Sequence, residues 1–338
     1  MSALLNKRLA RSLWRSKLRL FAVIFMVSVG VFAGLTFGGY SHNLSGMYDT
    51  MHADDDDGAN LADLWIDNRS TTWSAEQVAT FCQHLTDNWD LSAHDLDSCE
   101  GRNIIPGAMF FDDDGEDRII NSLWHGIAPT ANSDRVWMPD GHSGGRLAVA
   151  DDEIVIDAHV MEPLELNLGD TITIGAGSSS AEFSIVGYGY HPVHIFMAPE
   201  GSVFPPEAGE YVVGYLSESG MARLTGNDLG ASNTILLDVQ GTPSFDLPDT
   251  NEYEGKEIDA IKLQVDDSLT ATQLDARQRD RGQNEQVEIM RQDLEASKRM
   301  ATPFTVMIAA IAAITIILSL QRFCLLYTSD AADDIRRV

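Results

Sequence analysis

The chain has 338 residues, with 51 acidic side chains against 23 basic ones and a formal net charge of −28. A surface of that sign repels nucleic acid and anionic lipid headgroups, so neither is expected as a ligand of the acidic part. The acids are unevenly placed, and none occurs in residues 1–40.

Residues 1–19 are basic and amphipathic. Lys7, Arg8, Arg11, Arg15, Lys17 and Arg19 are interleaved with Leu4, Leu5, Leu9, Leu13 and Trp14, the pattern of a segment lying on an inner membrane face. Residues 20–40 follow without one ionisable side chain, and at about 1.5 Å per residue they are long enough to cross a hydrocarbon core roughly 30 Å thick. The flanking bases put the N-terminus in the cytoplasm and the chain after residue 40 outside. A cleaved secretory signal is the rival reading, disfavoured because its apolar core is usually only about 7–15 residues long. Gly30, Gly34 and Gly38 recur every fourth residue, a small-residue stripe along which another helix can approach closely.

A second charge-free span at residues 303–320 returns the chain to the cytoplasm, with Pro303 read as a first-turn proline and not a break. Residues 41–302 between the spans hold 14 basic and 48 acidic side chains and are too many for a loop. They must carry one or two folded domains. Cys82 and Cys99 fall here and could pair in an oxidising compartment, although Cys82 also reads as part of an apolar helix face.

Within this region the acidic runs at Asp54–Asp57 and Asp112–Asp114 each lack the first ligand of a calcium loop, so both read as turns or solvated surface. A strand is expected at 61–67 and a helix from Ser74, where Ser74 and Gln77 form a capping box and Val78, Phe81, Cys82 and Leu85 share one face. Runs at 104–111 and 118–124 flank a DDDG turn and read as a hairpin. The Gly141–Gly145 string is formally G-x-S-x-G around Ser143. It lacks the strand-turn-helix setting of a nucleophile elbow and reads as a loop. Strands at 153–156, 171–174, 183–188 and 211–216, with short helices near 158–164 and 218–224, make a small β-rich subdomain.

Strands are expected at 234–239 and 258–265. A helix should then run from 267 into the second span, with Val287, Met290 and Leu294 on its apolar edge. His191-Pro192-Val193-His194 is the one close histidine pair. It shows neither helical spacing nor a third ligand, so no metal site is assigned there.

A basic amphipathic segment and first membrane helix, followed by strand, short helix, Leu168-Gly169-Asp170, strand, turn and Phe183-Ser184-Ile185-Val186-Gly187-Tyr188, resembles the permease subunits of the MacB/FtsX-like ABC transporter superfamily. The resemblance covers the order of elements over most of residues 5–322, and its short motifs are of moderate specificity. It implies an α+β extracytoplasmic domain between two transmembrane helices. The expected parts are a mixed α/β part at 54–150 with 230–266, an inserted β-rich part at 151–228 and a stalk helix at 267–302. These sit between spans at 20–40 and 303–322.

The resemblance also implies a separate cytoplasmic ATPase that binds ATP, a homodimer or pseudo-symmetric permease pair, and mechanical work on an extracytoplasmic substrate or partner. No catalytic, cofactor or metal residues carry over, and the chain is not expected to be an enzyme. A two-span sensor with a ligand-binding ectodomain is the alternative. Beyond Arg322 three acids precede Arg336 and Arg337, contrary to a basic cytoplasmic exit. Residues 323–338 therefore read as a tail foreign to a longer native protein that would continue through two more spans.

Overall fold

The computed structural model describes residues 17–51, 58–113, 116–138, 144–194, 197–199, 201–202, 204, 206–241, 243 and 257–335. The acidic run at 54–57, the tip of the DDDG turn and Ser143 lie outside them. The chain divides into two compact units, Tyr48–Arg291 and Met1–Met47 with Gln292–Val338.

The second of these units holds most of two long helices, α1 (Lys17–Met51) and the greater part of α5 (Glu285–Ile335). Pro303 falls 18 residues inside α5, which corrects its reading as a first-turn proline. The helix tolerates it at the loss of one backbone donor. α1 contains the whole 20–40 stretch. Among the described residues no helix is long and apolar enough to cross a membrane, so membrane insertion rests on the sequence and is taken up below as a proposal.

The Tyr48–Arg291 unit has an α/β part and a β-ring. In the α/β part, the sheet order is β2-β8-β1-β9, using β1 (Leu64–Asn68), β8 (Thr234–Val239), β9 (Ala276–Asp280) and the first third of β2 (Leu96–Asp113). Strand alternation sends Leu64, Ile66, Ile235 and Leu237 to one face, where α2 (Ala75–Asp87) and α4 (Glu257–Thr272) cover them with Phe81, Leu85, Ile261 and Val265. Helix α2 starts as its sequence dictates: Ser74 Oγ accepts from Gln77 N–H, and the Gln77 side chain accepts from Ser74 N–H. The opposite face carries Trp65 and Leu236 and packs on Val287 of α5.

The ring closes on itself in the order β3-β7-β4-β6-β5-β2-β3, from β3 (Glu116–Gly126), β4 (Glu153–Asp157), β5 (Thr171–Ala176), β6 (Ser179–Gly189), β7 (Tyr211–Leu216) and the distal part of β2. Closure leaves no free sheet edge, and the interior is filled by Met109, Trp124, Ile154, Ile156, Ile174 and Phe183. Helix α3 (Glu218–Thr225) adds Met221 and Leu224 to this core. Where β2 crosses the ring, Gly107 leaves room for Trp124, whose indole N–H donates to Gly175 C=O at 2.9 Å.

Three expectations are corrected. The β-rich part is not confined to 151–228, because β2 and β3 are two of its six strands; the hairpin at 104–124 belongs to the ring and not to the mixed α/β part. Residues 258–265 are helix α4, since Ile258, Ile261, Val265 and Leu269 are buried at helical and not alternating spacing. The stalk helix does not begin at 267. After α4 the backbone turns at Gln273, with φ 60°, then runs as edge strand β9 and restarts at Glu285.

Candidate functional site

A cleft of about 1070 Å³ opens on the face of the α/β sheet that α2 and α4 leave uncovered. Alternation along β1 and β9 turns Trp65 and Asp67, and Arg277 and Arg279, toward it. Ile104, Pro106 and Asn121 from β2 and β3 form the facing wall, and Asn284, Glu285 and Gln286 at the start of α5 line one end. The volume is at the upper end of the range for small-molecule sites.

Its carboxylates are already engaged. Asp67 accepts from Arg279 and, at 3.1 Å, from Thr234 Oγ1. Asp134, with φ 47°, is buried; it accepts from Ala62 N–H at 2.9 Å and from Trp65 Nε1 at 2.8 Å. Burial raises the Asp134 pKa, and these hydrogen bonds together with the charges of Arg102 and Arg281 oppose the rise. Glu285 Oε2 accepts from Gly201 N–H at 2.8 Å.

The floor is a trio of buried histidines. His125 comes from the end of β3, and His191 and His194 from the turn after β6; they are 2%, 2% and 6% exposed. His194 Nε2 and His125 Nε2 are 2.8 Å apart, and the ring centroids of the three lie 4.8 to 5.2 Å from one another. His191 stacks on Tyr215 at 5.4 Å, and Tyr215 donates its hydroxyl to Asp157 Oδ2 at 2.9 Å. The other oxygen of Asp157 is bound by His159 Nδ1 at 2.7 Å.

The protonation of the trio follows from burial. Desolvation holds His125 and His191 well below the usual imidazole range, reinforced by the neighbouring histidines and Arg102. His194 is lowered to about 4, again by burial, against the pull of Asp157. All three are neutral at pH 7. One of the two facing Nε2 atoms must then carry the proton and the other accept it. It follows that one of the two Nδ1 atoms is protonated and the other bare. Among the described residues neither Nδ1 has a hydrogen-bond partner. Among the described residues no three His, Cys, Asp or Glu side chains are placed to hold a metal ion.

Local sequence brings His191 and His194 together but not His125, which lies 66 residues upstream on a strand whose register with β7 no local pattern reveals. The other predicted residues are spread over the chain. Cys82 and Cys99 are joined by a disulfide that ties α2 to β2, with Cα atoms 5.6 Å apart. Val287, Met290 and Leu294 are buried. A Cβ on Gly30 would lie 2.6 Å from Ile308 Cγ2, whereas at Gly34 and Gly38 no described residue would come within 4 Å of it.

The chain matches no family model and no curated protein. Among solved structures it is similar to the periplasmic region of MacB from Actinobacillus actinomycetemcomitans. The identity is 11%, the TM-score is 0.38, and the match covers 69% of this chain and 92% of that one. It is also similar to the extracellular domain of the noncanonic ABC-type transporter YknZ from Gram-positive bacteria, at 11% identity and TM-score 0.36, covering 65% and 98%. Likeness at that level supports no statement about activity.

Proposed function

We propose that this chain is the membrane subunit of an ABC-type complex of the MacB/FtsX class, with the acidic unit outside the membrane. A separate cytoplasmic ATPase would supply the energy, and the chain itself would catalyse nothing. The observation that carries this reading is α5. It begins at Glu285 with Val287 and Met290 buried, and it runs unbroken through the charge-free 303–320 stretch to Ile335. One helix thus carries the chain from the acidic unit into the charge-free stretch, the connection that coupling of membrane helices to an outer domain requires.

The exposed apolar surface supports membrane insertion. Among the described residues, 16 of the 23 large apolar side chains left exposed lie on α1 or α5, including Phe21, Phe32, Leu35 and Val306. In water such a concentration is unfavourable; in lipid it is expected. Assembly as a homodimer or pseudo-symmetric pair is part of the same proposal, through the open stripe of Gly34 and Gly38.

The alternative, a two-span sensor, is favoured by one feature, the cleft of about 1070 Å³ in the outer unit. Reading the gene past the codon for Arg322 from intact genomic DNA separates the two. A basic loop followed by two further apolar spans of about 20 residues, with an ATPase gene adjacent, supports the permease. A soluble signalling module in that place replaces it with the sensor.

A further inference from the structure

The turn after β6 does two things. His191 and His194 complete the buried trio with His125. A few residues on, Ala198 C=O accepts from Gln286 Nε2 at 3.2 Å, and Gly201 N–H donates to Glu285 Oε2 at 2.8 Å. Glu285 and Gln286 are the first two residues of α5. Val193, between the two histidines, packs on the cluster of Trp65, Leu236 and Val287. Through Val193, Ala198 and Gly201 this segment straps the β-ring to the start of α5, and His191 and His194 of the trio belong to the same stretch of chain.

We infer that the His125, His191 and His194 trio is a proton-binding site whose occupancy releases this strap, which makes the outer unit an acid sensor acting on the first turn of α5. The charged and titratable groups around the trio are Arg102 from β2, Asp134 from the loop after β3, Asp157 at the end of β4, and Tyr215 from β7. Asp134 is bound by Ala62 N–H and the Trp65 indole, and Asp157 by Tyr215 and His159, so both carboxylates already have hydrogen-bond partners outside the trio. A first proton on His194 is held by attraction to Asp157. A second, on His125, would set like charges on nitrogens 2.8 Å apart, beside Arg102.

Opening the strap hydrates the rings and restores their ordinary titration. The closed strap is favoured above the ordinary histidine range, and that preference is lost as pH falls from about 6.5 toward 4. For His194 alone, with a closed-state value of about 4, protonation at pH 5 shifts the balance toward the open strap by about 30-fold.

Hydrogen exchange of the full chain in detergent micelles tests this, with protection corrected for the intrinsic pH dependence of exchange. Between pH 7.5 and 5.0, peptides covering 190–202 and 284–291 should lose protection by about 10-fold or more, while β8 keeps its own. In H125Q/H191Q/H194Q, which cannot take up the protons, the loss should shrink below about twofold. An unchanged wild type, a parallel loss in β8, or a triple variant that still responds overturns the proposal. Should that variant not fold, histidine-ring resonances of the wild type decide. Three rings that titrate in step with the exchange of 190–202 support the sensor, and rings that titrate while that segment stays protected overturn it.

Discussion

Arg281, on the turn after β9, is paired at 3.0 Å with Asp63, just ahead of β1, and both side chains are buried. Arg281 also donates to the carbonyls of Leu61 and Ala62, and Asp63 Oδ2 accepts from Val239 N–H at 3.1 Å. This pair pins the segment that enters β1 to the segment that leaves β9, 218 positions apart in sequence. Removing one partner leaves a buried charge without its counter-ion. R281M is expected to destabilise the Tyr48–Arg291 unit by about 3–5 kcal/mol, and R281M/D63N by distinctly less. Urea unfolding followed by tryptophan fluorescence measures both. Equal losses in the single and double variants would show that the pair contributes through packing and not charge.

The bridge between Cys82 and Cys99 closes a loop of sequence separation 17. The chain-entropy relation then gives about 3 kcal/mol of stabilisation, and C82A/C99A should lose roughly that much. Dithiothreitol should produce a similar downward shift in the wild type and none in the variant. A reductant-insensitive wild type would mean that the thiols are not paired in the protein as isolated.

Local signals in the sequence read true where the chemistry is local. The capping box at Ser74 and Gln77, the apolar stripe of α2 and the β2–β3 hairpin are each set by residues within a few positions of one another. The failures came where tertiary contacts decide. Ile258 to Val265 is short and apolar enough to suit a strand, and it is a helix because Ile258, Ile261 and Val265 lie against α2 and the sheet on a single stripe. Arg277, Gln278 and Arg279 form a strand despite their polarity, because β1 offers an unpaired edge. The closure of the ring through β3 and β7, and with it the meeting of His125 with His191 and His194, depends on pairing across about 90 residues. No window of sequence contains it.

A second acid response lies below the histidine range. Glu153, at the start of β4, is held at about 2, first by its hydrogen bonds from Arg146 and further by Val149 and Ala150 N–H, against the opposing effect of burial. Its folded value is below the unfolded one. The stabilisation is therefore complete above about 4.5 and is lost as pH falls toward 2. E153Q should flatten the acid limb of a thermal-melt profile between pH 4.5 and 2 and leave the limb above pH 5 unchanged. Arg146 is more than half exposed, so the effect should be small and weaken with salt. A profile identical to wild type in that window would place the acid response elsewhere.

Gly107 faces the densest contact of the ring. A Cβ there would come within 2.1 Å of Trp124 Nε1 and 2.3 Å of Gly175 C=O, the two ends of the hydrogen bond that spans the interior. Neither is free to move, since the indole is fully buried and the carbonyl belongs to β5. G107A should cost the ring several kcal/mol and redden the emission of Trp124 as water reaches it, in line with other overpacked cores. Gly126, at the far end of β3, provides the comparison. A Cβ there would lie 3.2 Å from Met221 Cβ, within reach of small adjustments, so G126A should cost less.

The glycine stripe of α1 separates contact within the chain from contact between chains. At Gly30 a Cβ would meet Ile308 Cγ2 at 2.6 Å, while at Gly34 and Gly38 it would meet no described residue within 4 Å. G30L is therefore expected to disturb the packing of α1 on α5 and to lower the yield of folded protein from the membrane. G34L and G38L should leave the single chain intact, because the volume they add is unopposed. If the open glycines receive a second copy, as proposed, G34L should abolish a cysteine crosslink engineered between two copies at Leu35→Cys, while the melting temperature of the Tyr48–Arg291 unit stays within about 2 °C of the parent. A crosslink that survives G34L would move the pairing surface off this stripe. A crosslink lost with G30L but kept with G34L would assign Gly30 to the fold of one chain and leave Gly34 without a part in pairing.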